Sequence, residues 1–363
     1  RMKKPFDLTF SVGPTQISQA VKDDIAHAVA NNFLSVSHRG EDFTQISEMT
    51  VNALRQLYNV PEDYRIFFTT SATEGWEICA RNLVEKEAFS FVCGHFSSAF
   101  AHCLNSWGKT CHEDVAPWGE LNDHLNVDIP QTAELITLCH NETSTGVTVP
   151  DDTIQKLRQK YSDCLLAIDV TSSIGACNLD INQADVWYFS TQKGWGLPSG
   201  LGVMFVGPRA MAKSKAMLSK HLPQGFFNFT NMEKQMADGK YQTIQTPNIL
   251  NIYLLGQQCK RLQQTGLQNV HNKTLVRASD LYNFFESHPN AKPFVEDPTV
   301  RSPFSLCIEL GEENLTHYKQ KASQQKIELG SGYGKLKKTH IRIANYPALT
   351  DTDFEILKEI FES

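Results

Sequence analysis

Short apolar runs recur through the first two thirds of the chain, and most of them are continuous rather than alternating with polar residues. A strand whose two faces are both covered needs apolar side chains at successive positions, so these runs predict strands buried inside a sheet. The six runs are residues 66–68, 89–93, 135–139, 165–168, 186–189 and 203–206.

Helix-like segments lie between several of these runs. Residues 74–84 and 152–161 give the clearest helical patterns, and the second follows Pro150-Asp151-Asp152, a typical helix start. Strands that alternate with helices form βαβ units, whose strands run parallel. The pattern therefore predicts an α/β fold with a mostly parallel sheet and helices on both of its faces.

The pattern of apolar and polar residues changes near residue 256. One long polar helix is predicted over 256–287, and shorter strand and helix patterns follow it at 304–308, 340–343 and 351–362. We expect a large α/β domain over residues 16–255 and a small α+β domain over 256–363. The N-terminal segment, residues 1–15, is expected to pack near the small domain.

Composition narrows the classes of function. The 363 residues include 34 Lys and Arg against 40 Asp and Glu, so the net charge is −6, and no basic run is long enough to neutralise nucleic-acid phosphates. Nine scattered cysteines without a Cys-x-x-Cys pair favour reduced thiols over disulfides or a metal site. The sequence offers no uninterrupted apolar stretch of membrane-spanning length and no signal-peptide pattern, so we expect a cytoplasmic protein that binds neither membrane nor nucleic acid.

Polar side chains follow five of the predicted strands. In an open parallel sheet, ligands bind outside the carboxyl ends of the strands, so these side chains are expected to share one edge. The polar segments are residues 69–75, 94–97, 140–143, 169–173 and 190–194. Together they bring hydroxyl, amide, carboxylate and amine groups to a single rim.

Lys193 and Asp169 are the most informative residues of this rim. A lysine in a cavity loses hydration, which lowers its pKa and suits it to Schiff-base chemistry. An isolated carboxylate such as Asp169 is suited to pairing with a pyridinium nitrogen. These are the two contacts that pyridoxal 5′-phosphate (PLP) requires in an enzyme, a covalent anchor and a partner for its electron sink.

The other rim residues extend this interpretation. Ser71 and Glu74 form a capping-box pattern, and the helix start that they mark would offer the N–H groups of Ala72 and Thr73 to a phosphate. Phe96 is suited to stacking on a flat ring, with a core position as its alternative. Asn141 and Thr143 could bind a phenolic oxygen or belong to a turn.

The small domain adds two candidate features. Arg342 lies in an apolar strand and needs a carboxylate partner, which either a substrate or a structural ion pair would supply. Residues 330–335 are glycine-rich but match neither a P-loop nor a dinucleotide fingerprint, so a flexible loop that could cover a site is the better interpretation.

The lysine segment resembles a known signature. Ser190-Thr191-Gln192-Lys193, followed by Gly200-Leu201-Gly202, is similar to the lysine motif of the class V aminotransferases, which are PLP enzymes of fold type I. Within that class, residues 10–14 (FSVGP) and 37–40 (SHRG) look like motifs of the phosphoserine aminotransferase family. The likeness extends over essentially the whole chain and implies a seven-stranded sheet and a homodimer.

The resemblance also implies roles for individual residues. Lys193 would anchor the cofactor and act as general acid and base, Asp169 would pair with the pyridine nitrogen, Phe96 would stack on the ring, and Thr143 would contact the phenolic oxygen. Residues of the cofactor-phosphate site would be Ala72, Thr73, Gln192 and, from the partner subunit, Thr246. Substrate would be bound by Arg342 at its α-carboxylate and by His38 and Arg39 at its side-chain phosphate, across the dimer interface.

These roles predict amino transfer between L-glutamate and 3-phosphohydroxypyruvate in serine biosynthesis. The alternative is the same chemistry on an unphosphorylated or phosphonate substrate, of the serine or alanine–2-oxo acid type, because the small domain has Lys335, Lys337 and Lys338 where the family brings a His-Arg pair. A PLP lyase of the cysteine desulfurase type would need a cysteine in residues 329–338, which have none. A non-catalytic binding protein would most readily have lost Lys193 or Asp169, and the presence of both residues counts against that alternative.

Overall fold

The computed structural model describes residues 4–362, so residues 1–3 of the predicted N-terminal segment and residue 363 of the predicted small domain lie outside it. The α-helices in this range are α1 Gln19–Ala30, α2 Glu41–Tyr58, α3 Ala72–Leu83, α4 His95–Ser106, α5 Asp151–Lys160, α6 Pro208–Ser219, α7 Phe229–Met236, α8 Ile249–Thr265, α9 Leu267–Ser287, α10 Glu312–Gln324 and α11 Asp351–Glu362.

The β-strands of the same range include all eight predicted ones. They are β1 Leu8–Thr9, β2 Arg65–Thr69, β3 Glu87–Val92, β4 Thr110–Val115, β5 Leu135–Cys139, β6 Asn141–Glu142, β7 Val147–Thr148, β8 Leu165–Asp169, β9 Val186–Ser190, β10 Gly202–Val206, β11 Lys292–Pro293, β12 Ser305–Glu309, β13 Ile327–Glu328, β14 Gly330–Ser331 and β15 His340–Ala344.

A seven-stranded sheet lies within residues 65–206, in the order β2-β10-β9-β8-β5-β3-β4. Strand β10 runs antiparallel to both of its neighbours, β2 and β9, and the other pairs are parallel. The predicted fold class, a mostly parallel seven-stranded sheet covered by helices, is therefore confirmed.

The continuous apolar runs reflect burial on both faces of this sheet. Successive side chains of a strand point to opposite faces, and in β2 Ile66 and Phe68 join one core while Phe67 joins the other. Helices α2 and α8 cover the first face, and α3 and α4 cover the second. Every position of the strand therefore gains from an apolar residue.

The C-terminal part contains a four-stranded antiparallel sheet in the order β11-β12-β15-β14. Its core includes Leu306, Ile341 and Leu357, and Phe10 of the N-terminal segment is buried among them. Strand β1 pairs in parallel with β13, so the N-terminal segment packs against this part of the chain.

The helix predicted over 256–287 is instead two helices, α8 and α9. They meet at Gly266, whose φ of 84° lies in a region that side chains disfavour and that interrupts a helix. Helix α8 begins before residue 256, and its Leu255 and Cys259 are buried in the large core. The predicted domain boundary at 255/256 thus falls inside a helix. Among residues 4–362, no helix combines the length and apolar character needed to cross a bilayer.

Candidate active site

A cleft of about 240 Å³ lies at the carboxyl ends of the central strands. It brings together seven of the predicted residues: Ala72, Thr73, Phe96, Thr143, Asp169, Gln192 and Lys193. A larger hollow of about 440 Å³ lies elsewhere, beside Tyr58, Asp151 and Trp187, and its described lining includes none of the predicted site residues. The chemistry of the rim is therefore concentrated in the smaller cleft.

Lys193 follows β9 and is held from two sides. Its Nζ donates a hydrogen bond to Thr143 Oγ1 at 2.9 Å and lies 4.6 Å from the centre of the Phe96 ring. Burial lowers the pKa of Lys193, and the negative charge of Asp169 opposes that effect without cancelling it. The uncharged form of the amine is therefore more favoured at Lys193 than in a solvated lysine.

Asp169 is the last residue of β8 and is buried on the floor of the cleft. Its Oδ1 accepts a hydrogen bond from the Thr171 N–H at 2.9 Å. Burial raises the pKa of Asp169, and the hydrogen bond from the Thr171 N–H and the charge of Lys193 oppose the rise. A cationic ring nitrogen placed beside this carboxylate would compensate for its lost hydration.

Thr143 and Asn141 belong to a buried hydrogen-bond network beside Lys193. Thr143 Oγ1 donates to Ser172 Oγ at 2.8 Å, and Asn141 Nδ2 donates to Ser172 Oγ at 2.8 Å and to Ser305 Oγ at 3.0 Å. Ser305 lies in β12, so the network also ties the cleft to the C-terminal sheet.

The start of α3 lines the cleft, and the helix begins where the capping pattern predicted. Ser71 Oγ accepts from the Glu74 N–H at 3.2 Å, whereas the Glu74 carboxylate reaches the Thr70 N–H at 2.6 Å instead of the capping residue itself. The Ala72 N–H donates to Ser190 Oγ at 2.7 Å. A phosphate at this helix start would therefore lie beside a serine hydroxyl as well as beside the backbone.

Arg342 reaches the cleft region from β15. Its Nε donates to the Ser331 carbonyl at 2.8 Å, and its Nη1 donates to the Thr143 carbonyl at 3.0 Å. The Tyr333 ring lies over the guanidinium, with Cζ 5.3 Å from the ring centre. These contacts are to carbonyls and a ring, so a structural ion pair, the alternative to binding a substrate carboxylate, is not among the described contacts of Arg342.

His38, Arg39 and Thr246 do not line this cleft. Arg39 is instead fixed on the outer surface, where Nη1 donates to Gln235 Oε1 at 2.8 Å and Nη2 donates to the Ile244 carbonyl at 3.3 Å. Thr246 is exposed two residues beyond Ile244. The three residues that were predicted to serve a partner subunit thus lie near one surface of their own subunit.

Several cleft residues were not predicted to be part of the site. They are Gly13, Trp76, Cys139, Thr171, Ser172 and Ser190. Ser172 and Ser190 stand in the polar segments that follow the strands and could have been chosen on that ground. Gly13 follows no predicted strand, and its one signal was its place in the motif at residues 10–14. A Cβ there would come within 3.0 Å of Lys193 Cε, so the N-terminal segment packs directly on the lysine.

The groups in the cleft fit PLP. The cleft offers an amine for the aldehyde, a carboxylate for the pyridine nitrogen, an aromatic face for the ring and a helix start for the phosphate. Two buried polar atoms that line it, Asn141 Oδ1 and Thr171 Oγ1, have no hydrogen-bond partner among residues 4–362. Unpaired buried polar atoms are costly in a folded protein, so a polar ligand is expected to complete the site.

Comparisons with known proteins agree with this chemistry. Residues 8–340 match the profile of the family Aminotransferase class-V. The chain is 30% identical to a phosphoserine aminotransferase of Corynebacterium glutamicum, over 97% of this chain and 93% of that protein.

Solved structures extend the likeness. A phosphoserine aminotransferase of Cytophaga hutchinsonii superposes with a TM-score of 0.94 at 30% identity, covering 99% of this chain and 98% of that one. A ureidoglycine–glyoxylate aminotransferase of Bacillus subtilis shares the fold, with a TM-score of 0.85 at 19% identity over 100% and 93% of the two chains. The chain therefore belongs to the class V aminotransferases and is a PLP-dependent transaminase.

Proposed function

We propose that the chain is a phosphoserine aminotransferase, which transfers the amino group between L-glutamate and 3-phosphohydroxypyruvate and gives O-phospho-L-serine and 2-oxoglutarate, as a cytoplasmic homodimer in serine biosynthesis. The observation that carries the proposal is the meeting of Lys193 and Arg342 at Thr143. Lys193 Nζ binds the Thr143 hydroxyl and Arg342 Nη1 binds its carbonyl, at 2.9 and 3.0 Å. The residue proposed for proton transfer and the residue proposed to bind the carboxylate are thus hydrogen-bonded to the same threonine.

The cofactor would be held by residues of the cleft. Lys193 would anchor it, Asp169 would pair with its ring nitrogen, Phe96 would stack on the ring, and Thr143 would contact its phenolic oxygen. Its phosphate would be bound by Ala72, Thr73, Gln192 and, from the partner subunit, Thr246. When bound, PLP supplies an electron sink that stabilises negative charge at the substrate Cα.

Proton transfer would fall to Lys193. Burial lowers its pKa, so a larger fraction of the amine is uncharged near neutral pH than in a solvated lysine. The uncharged Nζ takes the proton from the substrate Cα as a general base. Thr143 orients Nζ by accepting one of its hydrogens.

Arg342 would hold the α-carboxylate that the amino donor and the oxo acid have in common. Its guanidinium is oriented by Ser331, Thr143 and the Tyr333 ring before any substrate arrives. An oriented arginine binds a carboxylate with little further loss of side-chain entropy. Both half-reactions would therefore use the same cation.

The side-chain phosphate would be bound by His38 and Arg39 of the partner subunit. Arg39 is fixed by Gln235, Gln242 and Ile244 on the surface, where a second subunit can reach it. The names of the relatives at 30% identity support a phosphorylated substrate. We also propose that the chain divides into domains 16–255 and 256–363, with the N-terminal segment packed on the second.

An unphosphorylated or phosphonate substrate is the second candidate, and the loop over residues 330–338 favours it. This loop contains Lys335, Lys337 and Lys338 but no arginine, and Lys335 Nζ lies over the Trp118 ring at 4.7 Å. A lysine held on an aromatic ring is a weaker phosphate ligand than a planar guanidinium fork.

A half-reaction experiment separates the two candidates. The loaded enzyme is mixed separately with O-phospho-L-serine, L-alanine, L-serine and 2-aminoethylphosphonate, and loss of the cofactor's yellow colour is followed. Fast bleaching by O-phospho-L-serine, lost in an Arg39→Gln variant, supports the proposal. Equal or faster bleaching by an unphosphorylated amino acid or the phosphonate keeps the transaminase and refutes the phosphoserine assignment.

A further inference from the structure

Glu142 is a buried carboxylate that none of the roles above uses. It lies in β6 between Asn141 and Thr143, with none of its surface exposed. None of the ion pairs among residues 4–362 that the structure forms within 4 Å involves it, so other groups must compensate for its lost hydration.

Five donors surround the two carboxylate oxygens of Glu142. Oε1 accepts from the N–H groups of Phe96 and Ser144 at 3.3 Å each and from the Ser144 hydroxyl at 2.6 Å. Oε2 accepts from the Ser97 N–H at 2.9 Å and from the Ser97 hydroxyl at 2.8 Å. Both oxygens therefore act as acceptors throughout, as a carboxylate does.

The two hydroxyls are themselves oriented toward Glu142. Ser144 Oγ accepts from the His95 N–H at 2.9 Å, and Ser97 Oγ accepts from the Cys93 N–H at 3.1 Å. Each hydroxyl oxygen thus accepts a hydrogen bond from a backbone N–H group, and its own hydrogen is available for donation to the carboxylate. Charge-assisted bonds of this kind are about twice as strong as bonds between neutral groups.

This arrangement replaces an ordinary N-cap. Helix α4 begins after Gly94, which has no side chain to cap it. A Cβ at Gly94 would lie 2.4 Å from Glu142 Cγ and 2.5 Å from Ser144 Oγ, so the glycine makes room for the two residues that cap the helix from another segment. The positive end of the helix then faces a carboxylate, which is its favourable partner.

The cap joins the two segments that flank Lys193. Phe96, whose ring lies 4.6 Å from Lys193 Nζ, is on the capped turn of α4. Thr143, whose hydroxyl accepts from Lys193 Nζ, is the next residue after Glu142. We propose that Glu142 is a positioning residue, which fixes the Phe96 ring and the Thr143 hydroxyl relative to each other so that the cofactor ring is bound in a single orientation. The inference rests on the proposed cofactor contacts of Phe96, Thr143 and Lys193, and it is independent of the substrate's identity.

The chain offers a matched control in Glu134. This residue directly precedes β5, at the end of the strand that is opposite to the cleft. Its carboxylate accepts hydrogen bonds from the backbone N–H groups of Glu85, Lys86 and Glu87. With the ammonium of Lys213, which also pairs with it, Glu134 has four donor groups against the five donors of Glu142. It is remote from the cleft, so its loss should affect stability without affecting the cofactor. The comparison separates a positioning role from a purely structural one.

The experiment compares Glu142→Gln with Glu134→Gln in the PLP-loaded protein. The glutamine at 142 keeps the shape of the side chain but turns an NH₂ group toward N–H donors. We expect both variants to lower the melting temperature. Only Glu142→Gln should also lose most of the circular dichroism that the cofactor band acquires on binding and weaken PLP binding roughly tenfold, which corresponds to about 1.4 kcal/mol.

A pH titration gives an independent readout. The negative charge of Glu142 raises the pKa of Lys193, so its removal should move the Lys193 titration in the cofactor-free protein to lower pH. If Glu142→Gln leaves the cofactor dichroism and PLP affinity at wild-type values, or if Glu134→Gln changes them equally, the proposal is overturned.

A milder variant covers the case in which Glu142→Gln does not fold. Ser97→Ala removes one hydroxyl donor and keeps the charge, and it should reduce the cofactor dichroism in the same direction. An unchanged dichroism in Ser97→Ala would then overturn the inference. A wrong substrate assignment would appear only in the half-reaction experiment and would leave these spectra as expected.

Discussion

Arg342→Lys tests how a substrate carboxylate is recognised. In the structure, Nε and Nη1 of Arg342 each donate to a backbone carbonyl, and Nη2 has no hydrogen-bond acceptor among residues 4–362. A lysine has one nitrogen, so it cannot keep both carbonyl contacts and also bind a carboxylate. Losing one charged hydrogen bond costs about 1.5–3 kcal/mol, which corresponds to a roughly 10- to 150-fold weaker interaction.

The effect should appear as a raised KM for both substrates, because the amino donor and the oxo acid have the α-carboxylate in common. Steady-state kinetics with each substrate varied in turn measure it, together with kcat. Arg301→Lys is the matched control: Arg301 Nε also donates to a carbonyl, that of Val295 at 2.8 Å, and its guanidinium lies over the Tyr282 ring. A raised KM for one substrate alone, or an equal effect of Arg301→Lys, would refute the assigned role.

Three further variants address the same cleft. Lys193→Ala should abolish turnover and leave the far-ultraviolet circular dichroism unchanged, and an active variant would exclude Lys193 as the proton-transfer group. Tyr333→Leu should raise KM several-fold for both substrates, since its ring covers Arg342 and lies 5.2 Å from Phe96, whereas Tyr333→Phe should behave as wild type. In cofactor-free protein, the pKa of Lys193 is lower in the folded than in the unfolded state. Between the folded-state pKa and about 10.4, the unfolded state therefore binds more protons, and the free energy of unfolding rises with pH. Lys193→Met should therefore be more stable than wild type at pH 7, and the difference in melting temperature should narrow as the pH rises; a constant difference would contradict the assigned shift.

The strands of the central sheet could be predicted where burial on both faces demands apolar residues. The exception is β4, whose sequence Thr-Cys-His-Glu-Asp-Val is largely polar. It is an edge strand that pairs only with β3 among the described strands, and most of its side chains are partly or fully exposed. An edge strand needs no continuous apolar run, so hydrophobic patterning gives it no signal.

The cleft could be predicted to the extent that its residues follow strands. Asp169 is the last residue of β8 and Lys193 follows the end of β9 closely, so topology alone brings them to one edge. Gly13 and Tyr333 reach the same place from an N-terminal loop and a loop of the C-terminal sheet, through packing between distant segments. Such contacts depend on how elements dock, and local sequence does not encode that.

The proposed sharing of the site between subunits makes a quantitative prediction. Lys193 and Arg39 would serve one site from different subunits, so a Lys193→Ala protein and an Arg39→Gln protein should each be inactive toward phosphoserine, yet complement each other when mixed and allowed to exchange subunits. Random exchange makes half of the dimers hybrid, and each hybrid has one site with both native residues, so about one quarter of wild-type activity should return. As a control, Arg39→Gln is mixed with the double variant Lys193→Ala/Arg39→Gln. No site in this mixture has a native Arg39, so it should stay inactive. If native mass spectrometry detects hybrids and activity does not return, Arg39 does not act across the interface.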